Sequence, residues 1–439
     1  MIVNQEQNDI SAIFENMKRS FDEDLSELKA TLLQYEPITC IALLFYHFIN
    51  LNKASANNAG FTSCAPLELI QALILKNGYE SFSTTLPDKS AIKRIFDLAF
   101  KLCATFGYTN AGNDRHSHSL LISARNHTSL VRGEAYPFQR EQYLQDVLSL
   151  ISTKAELGLE LLEIIDVLRG KMTNAFSQKI REAFDPMKNK AEITLLEHIN
   201  SVTFTLEELV SLFGHNFNVN DVKLLLDKIS LSFGELNSND EQHLFLDNPV
   251  QMKPIVRIDD EHYFAGHLTI MFINSRKIIE NILCSDNNLK KQYREVVRPK
   301  YLENKLSSIL EQSFPNGIHL RNYPFYKDGG QYENDHTVVI GDKAVIFEAK
   351  ASKFKDSVYR GSDDAFKEAY KKNIIAASIQ ANRFEEFLRA QNDGITINSE
   401  DEAIHIDTEQ IKEYIKFNII LDTFPMPFLD RKNLSEYAQ

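Results

Sequence analysis

The sequence of 439 residues has only four cysteines, and they lie far apart at positions 40, 64, 103 and 284. Their spacing forms neither a disulfide framework nor a zinc ribbon, so we expect buried thiols in a reducing compartment. A membrane-spanning run is also lacking, because the longest apolar run near the N-terminus, Cys40 to Ile49, is about half the roughly 20 residues that cross a bilayer. The opening residues lack the basic start and apolar stretch of a signal peptide. These absences predict a cytoplasmic protein, with Cys40 to Ile49 in a buried helix.

Positive charge is scarce, since the chain carries a formal net charge of -13 at pH 7. A nucleic-acid partner requires clustered lysines and arginines that neutralise phosphates. Between Lys290 and Arg360 the chain has 13 Lys and Arg against 9 Asp and Glu, a local charge of +4 that leaves -17 for the rest. The positive charge is therefore local to this segment.

Motifs of several other protein classes are missing. No glycine-rich phosphate loop of the GxxxxGK[ST] type occurs, so ATP hydrolysis would need another chain, and no internal repeat occurs. Asp114, His116 and His118 invite a metal-site interpretation, but their spacing fits no specific zinc site and favours a polar loop.

The first 200 residues have a helical pattern. Polar stretches at 57–60 and 110–119 predict loops within it. We expect this region, residues 1–200, to sense a signal, to dimerise or to bind a partner protein. Helices are predicted where apolar residues recur every three or four positions, at 10–33, 67–75, 92–106 and 138–199.

Residues 201–285 predict a small winged-helix-like connector. A capping box, in which Thr205 and Glu208 would satisfy each other's backbone N–H groups, predicts the start of a helix that ends at Gly214. A second helix is predicted from Asn220 to Ile229. Three strand-like pieces follow, with the sequences HLFL, PIVRI and HYFAG.

The second helix of this connector lacks the basic face of a DNA-reading helix. It carries Asp221 and Asp227 beside Lys223 and Lys228. We therefore favour a structural connection, and transcriptional regulation through residues 204–265 is the weaker alternative.

Residues 286–439 combine helices and strands. The pattern runs in the order helix, three strands, helix, strand, which predicts α/β layers around a mixed sheet. The predicted bounds are a helix at 289–314, strands at 319–326, 335–340 and 344–350, a helix at 364–391 and a strand at 415–423.

The segment 329–355 carries the candidate chemistry. Two β-rich runs flank Gly341, and glycine at the first central position suits a type II′ turn, so we predict a hairpin that brings Asp335 near Glu348. Because successive side chains of a strand alternate between faces, Glu348 and Lys350 point to the same side. One polar face therefore carries two acids and a base.

Two carboxylates and a lysine can support phosphodiester hydrolysis. The reaction needs a nucleophilic water, charge compensation on the phosphoryl oxygens and help for the leaving oxygen. Asp335 and Glu348 would hold Mg²⁺ or Mn²⁺, hard cations that favour oxygen ligands. Lys350 would orient the water or help to deprotonate it, and its charge would stabilise the transition state.

This segment resembles the PD-(D/E)XK nuclease superfamily, whose signature is an Asp at the start of a hairpin followed by (D/E)xK on the next strand. The motif stands here as END, ending at Asp335, and as EAK, from Glu348 to Lys350, while Asn334 replaces the proline of the name. The resemblance covers about residues 290–424. It implies a restriction-endonuclease-like α/β/α domain with a mixed central sheet.

The resemblance also implies roles for single residues. The metal ligands would be Asp335, Glu348 and the carbonyl oxygen of Ala349, and Lys350 would be the catalytic lysine. Nucleases of this kind characteristically leave a 5′-phosphate.

Residues outside the hairpin extend the resemblance. The family often places a glutamate on the helix before the sheet, and Glu303 stands there; a solvated helix residue is the alternative. Some branches carry a helical glutamine after the motif, and Gln380 stands there; a structural hydrogen bond is the alternative. The expected contacts to phosphates are Lys353, Lys355, Arg360, Lys371 and Lys372.

The tripeptide (D/E)xK is common in this chain, and only the one at 348–350 lies in a predicted strand with an upstream Asp. The alternative for this one is a surface hairpin with solvated charges. That alternative explains poorly why two charges follow the apolar run VIF, because a charge at a core-facing edge costs free energy unless it is paired or used. The four other occurrences are Glu27–Lys29, Asp221–Lys223, Glu303–Lys305 and Asp430–Lys432.

The whole chain is therefore predicted to be α+β, with helices at 1–200, a connector at 201–285 and a nuclease domain at 286–439. The leading hypothesis is a metal-dependent endonuclease that acts on DNA rather than RNA. Bacterial defence systems combine such nucleases with large helical components, so a defence effector is a further expectation. A double-strand break needs two active sites, which makes a homodimer plausible. The alternative is a nuclease fold without catalysis that serves as a binding or assembly subunit.

Overall fold

The computed structural model describes residues 2–55, 64–109, 202–213, 219–265, 274–359, 362–398 and 403–422. These residues form two compact units that divide between Asp286 and Asn287. The loops predicted at 57–60 and 110–119, the latter with its Asp and His residues, and the helices predicted at 138–199 lie outside the described residues.

The length and hydropathy of each described helix decide whether it could cross a membrane. No single helix of the described part of the chain is long and apolar enough to cross a bilayer. One helix pair, Glu15–Leu32 with Pro37–Phe48, reaches the required length and composition only across a bend of 117°.

The N-terminal part of the first unit is helical, as the apolar spacing predicted. Its second helix contains the run from Cys40 to Ile49, in which Ile41, Leu44 and Phe48 are almost fully buried, so the predicted buried helix is confirmed. The carboxylate of Glu36 accepts the backbone N–H groups of residues 38 and 39 and caps this helix. The helices are α1 (Ile2–Leu32), α2 (Pro37–Ser55), α3 (Ala65–Leu75) and α4 (Lys89–Thr109).

Short helices and strands complete the first unit. The strand order is β1-β4-β3-β2, in which β2 runs parallel to β3 and the other pairs are antiparallel. Residues of this sheet share one hydrophobic core with the four N-terminal helices. The elements are β1 (Thr203–Thr205), α5 (Leu206–Phe213), α6 (Val219–Ile229), β2 (Ser230–Ser232), α7 (His243–Leu246), β3 (Ile255–Arg257), β4 (His262–Phe264) and α8 (Ser275–Leu283).

The capping box at the start of α5 is confirmed. The Thr205 hydroxyl accepts the N–H of Glu208 at 3.1 Å, and the Glu208 carboxylate accepts the N–H of Thr205 at 3.0 Å. The strand predicted for the sequence HLFL is wrong, because these residues form α7. A run of four residues is too short for its period to separate a helix from a strand, and burial of Leu244 and Leu246 in the core decides the conformation.

Charged side chains of residues 201–285 form ion pairs and hydrogen bonds within the first unit. Arg257 of β3 pairs with Asp227 of α6, and the Lys228 ammonium donates to the Ser285 hydroxyl at 2.7 Å. The turn between β3 and β4 carries the acidic residue Asp259. The structural connection that the sequence favoured for residues 201–285 stays a prediction.

The second unit alternates helices and strands. Every strand predicted in it is present, and the two long helices predicted in it are each continued through a π-helical turn. Its elements are α9 (Asn287–Gln292), a π-helical turn (Tyr293–Val297), α10 (Arg298–Ser313), β5 (Ile318–Lys327), β6 (Gly330–Ile340), β7 (Lys343–Lys350), α11 (Asp356–Tyr359), α12 (Asp363–Tyr370), a second π-helical turn (Lys371–Ile375), α13 (Ala376–Arg389), β8 (Ile395–Asn398), β9 (Ala403–Ile406) and β10 (Glu413–Ile420).

A mixed four-stranded sheet forms the centre of this unit, with strand order β10-β7-β6-β5. The chain from β5 to β7 is antiparallel, whereas β10 returns parallel to β7. Leu306 and Leu310 of α10 pack on one face, and Ala381 and Phe384 of α13 pack on the other. The predicted α+β class with a mixed sheet is confirmed, while the restriction-endonuclease-like fold stays a prediction.

The predicted turn between β6 and β7 agrees with the backbone. Gly341 has φ +58°, and its successor Asp342 is not among the residues with positive φ, which fits a type II′ turn and not type I′. The hairpin of β8 and β9 was missed. Its strands have four residues each, and they pair with each other rather than with the central sheet.

Candidate active site

The pairing between β6 and β7 stops before β7 ends. The last pair between these strands is His336 with Phe347, but β7 remains paired to β10 as far as Lys350. The two strands therefore separate next to Glu348. The Asp335 carboxylate fills the gap and accepts the N–H of Ala349 at 2.6 Å.

A coordinated kink in β5 and β6 brings Asp335 to this gap. Leu320 and Phe325 pack in the same core cluster although they are five residues apart, so the alternation of β5 reverses between them. Asn322 lies at the reversal with φ +44°, and the register places it opposite Asp335. Beyond the kink, the side chain of Asn334 faces Glu348, which strict alternation would have prevented.

The side chain of Glu348 lies at the centre of the cluster, and only 1% of its surface is exposed. Its Oε1 accepts the Asn334 amide at 3.0 Å, and the Thr337 hydroxyl in turn donates to Asn334 Oδ1 at 2.7 Å. Its Oε2 is buried and has no hydrogen-bond partner. The Lys350 ammonium lies 3.8 Å from this oxygen.

Burial, and after it the negative charge of Asp335, raise the pKa of Glu348 from 4.5 to about 8. The Asn334 amide and the Lys350 ammonium oppose this rise without cancelling it. A carboxyl group that is buried beside a second carboxylate is poorly stabilised as an anion. The arrangement therefore calls for additional positive charge.

The carbonyl oxygen of Ala349 points into the same gap. The Lys350 carbonyl accepts the N–H of Leu421 and so faces β10, and successive backbone carbonyls of a strand point to opposite edges. The carbonyl of Ala349 therefore faces β6, on the side where its N–H meets Asp335. The backbone oxygen of Ala349 therefore lies on the same edge of β7 as the Asp335 carboxylate.

Glu303 and Glu333 add two acids at the rim of the cluster. Glu303 is partly buried, and its pKa is raised first by desolvation and then by the charges of Asp335 and Glu333, while Lys350 lowers it. The predicted residue Glu303 is thus brought to the predicted hairpin. Glu333, the first residue of END, was not predicted to have a role.

Gln380 lies on α13, the helix that packs on the face of the sheet bearing Ile346 and Glu348. Its Oε1 is buried and has no hydrogen-bond partner. The structural hydrogen bond offered as its alternative role is therefore not made by this oxygen.

The predicted phosphate contacts differ in their surroundings. Lys371 and Lys372 are exposed in the π-helical turn before α13, and Lys353 is partly buried in the segment after β7. Lys355 is exposed but forms an ion pair with Glu368 at 2.5 Å. Arg360 lies outside the described residues.

The donor atoms of this cluster are oxygens, the ligands that hard divalent cations prefer. Glu348 offers a buried carboxylate oxygen without a hydrogen bond, and the negative charge of Asp335 beside it disfavours the anion. Within the described ranges, no group of three or more His, Cys, Asp or Glu side chains has the geometry of a metal site. A ligand set here would consist of two carboxylates and the Ala349 carbonyl, completed by water.

Comparisons with protein-family models, with curated proteins and with solved structures found no match for this chain.

Asn334 was missed as a functional residue. Its amide holds Glu348, and no local pattern marks it, because its orientation depends on the kink at Asn322. Glu333 could have been found, since it lies two positions before Asp335 on the same strand.

Proposed function

We propose that this protein is a metal-dependent nuclease of the PD-(D/E)XK type that hydrolyses phosphodiester bonds. The observation that carries the proposal is the buried Glu348 carboxylate beside Asp335, one oxygen of which has no hydrogen bond and lies 3.8 Å from the Lys350 ammonium. A structural ion pair would satisfy both oxygens. A site that receives a cation and a phosphate would leave one of them without a hydrogen bond.

Each side chain of this cluster has a separate proposed role in the hydrolysis. A bound Mg²⁺ or Mn²⁺ would act as a Lewis acid on the phosphoryl group. Asp335 and Glu348 would bind the ion, and Asn334 would hold Glu348 in place through its amide. The Lys350 ammonium would position the attacking water and offset negative charge on the phosphoryl oxygens. Glu303 and Glu333 would orient water at the rim.

The proposed substrate is DNA rather than RNA, and the proposed contacts to its backbone are Lys353, Lys371 and Lys372. Because the chain as a whole is acidic, its unaided affinity for nucleic acid is expected to be weak, and a partner protein bound to the N-terminal helices would strengthen it. A role in bacterial defence and a homodimer are parts of the same proposal.

The decisive experiment compares two lysines of the same strand. Purified protein is incubated with plasmid, single-stranded DNA and RNA, each with Mg²⁺ or Mn²⁺. We expect Lys350→Ala to lower cleavage by about 10²-fold or more. Lys343→Ala, at the other end of β7, is the matched control, because this exposed lysine pairs with Glu413. Cleavage by Lys350→Ala at the wild-type rate would contradict the mechanism.

The rival is a nuclease fold that has kept no catalysis and serves as a binding or assembly subunit. It is favoured by the lack of a three-residue metal group in the described part of the chain. Calorimetry with Mn²⁺ on the wild type and on Asp335→Asn separates the two. Equal heats would favour the rival, and loss of the binding heat in the variant would favour the nuclease.

A further inference from the structure

Arg298, the first residue of α10, is the largest fully buried side chain among the described residues. Its Nε donates to the carbonyl oxygen of Ala351 at 3.0 Å. Its Nη2 forms an ion pair with Asp422 Oδ2 at 2.9 Å, although this nitrogen is not aligned for a hydrogen bond, and only 6% of the Asp422 side chain is exposed. One guanidinium therefore joins three chain segments that are far apart in sequence.

These three segments carry the candidate active site. Helix α10 bears Glu303 five residues after Arg298. Ala351 directly follows Lys350, the last residue of β7. Asp422 follows β10, the strand that pairs with β7 up to Lys350.

The backbone around Lys350 is held from two sides. Its own carbonyl accepts the N–H of Leu421 at 3.1 Å, and the next carbonyl, of Ala351, accepts from Arg298. On the β6 side the ladder has already ended. The Arg298 guanidinium therefore holds the backbone at Ala351, where β6 no longer pairs with β7.

Stability alone does not explain why the Arg298–Asp422 ion pair is buried. Desolvation of two buried charges offsets most of their attraction, and apolar residues of similar volume often stabilise a fold equally well. A guanidinium, unlike an ammonium, holds two acceptors in one rigid geometry. The pair is therefore better explained by the geometry that it imposes on the end of β7.

We propose that Arg298 and Asp422 are positioning residues that hold the end of β7, and with it Lys350, against the helix that carries Glu303. The inference rests on the proposed function, because a fixed Lys350 matters only where it acts on a substrate. Neither residue contacts the reacting atoms.

The test uses a double variant, Arg298→Met with Asp422→Leu, which removes both charges and keeps the volume. We expect its thermal midpoint to stay within a few degrees of the wild type. We expect kcat to fall about 10- to 100-fold with KM changed less than about threefold, because misplacement of a catalytic group by about 1 Å has effects of this size. The second variant is Arg298→Lys, which keeps a charge for Asp422 but loses the rigid planar guanidinium. It should show the same fall in kcat with little change in KM.

A readout that does not depend on activity accompanies the kinetics. Amide hydrogen exchange of Leu421, whose N–H meets Lys350, should rise at least tenfold in both variants, while exchange at the Lys343 end of β7 should not change. Unchanged exchange at Leu421, or a stable double variant with wild-type kcat, would overturn the inference. If the wild type itself neither binds Mn²⁺ nor cleaves, the proposed function fails, and the exchange data then still show whether Arg298 fixes the strand.

Discussion

Glu348 combines deep burial with an acidic neighbour, and both disfavour its ionised form. The sequence predicted Asp335, Glu348 and Lys350 together, because strand alternation and an upstream Asp are visible in the letters. It could not predict Asn334, whose amide reaches Glu348 only because the strand is kinked. It also could not predict how strongly the protein would desolvate Glu348, since burial depends on helices that lie far away in sequence.

The raised pKa of Glu348 predicts a pH dependence of stability in the absence of metal. Between its ordinary pKa of 4.5 and about 8, the folded chain binds this proton more tightly than the unfolded chain. The free energy of unfolding should therefore fall as the pH rises through this window, on the order of 2 kcal/mol for this group. Glu348→Gln should be more stable than the wild type in EDTA at pH 8. Its free energy of unfolding should also fall less steeply between pH 4.5 and about 8.

Denaturation in EDTA at pH 5 and pH 8 measures the effect, and Glu333→Gln, at an exposed acid of the same cluster, is the control. Under the proposed function Mn²⁺ should stabilise the wild type, and the Glu348→Gln chain should lose this effect because its amide is a weaker ligand. A Glu348→Gln variant that is less stable than the wild type at pH 8 without metal would contradict the desolvation argument.

At the scale of elements, regular pieces were predictable and irregular ones were not. The strands β5, β6, β7 and β10 and the turn at Gly341 follow from β-rich runs and one glycine. The kink at Asn322, the two π-helical turns and the small β8-β9 hairpin leave no periodic signal. Without such a signal, the local sequence does not predict them.

The kink itself is testable at Asn322. Its positive φ is tolerated by asparagine and glycine but is strained for a β-branched residue. We expect Asn322→Gly to change the free energy of unfolding by less than about 1 kcal/mol, and Asn322→Val to lower it by about 1 to 3 kcal/mol.

Because the kink brings Asp335 to the gap beside Ala349, Asn322→Val should also weaken Mn²⁺ binding, which calorimetry measures. The matched control is Tyr326→Val, at an exposed position of the same strand where the backbone φ is not positive. Equal Mn²⁺ affinity in Asn322→Val and the wild type would show that the site does not depend on the kink.

At the scale of the whole molecule, the charge of -13 limits how nucleic acid can bind. Affinity for DNA that depends on few lysines should depend only weakly on salt, because each phosphate contact contributes about -0.9 to the slope of log K against log salt. The sequence showed where the basic segment lies. It could not show which lysines of that segment form ion pairs within the protein. Lys355, for example, is paired with Glu368.

The double variant Lys371→Gln and Lys372→Gln should reduce the magnitude of this slope by about 2, one contact for each lysine. Fluorescence anisotropy of a labelled duplex in EDTA, over a series of salt concentrations, measures it without cleavage. Lys93→Gln, at an exposed lysine of the first unit that pairs with Asp97, should leave the slope unchanged. An unchanged slope in the double variant would remove these two lysines from the interface.

Strand β10 lies beside β7 in the sheet, although the chain reaches it only after α13 and a further hairpin. A ribosome therefore releases Glu348 and Lys350 well before the strand that supports them, and Asp422 emerges later still. Under the proposed function, this order of synthesis would delay assembly of the candidate site until residue 422 has left the exit tunnel.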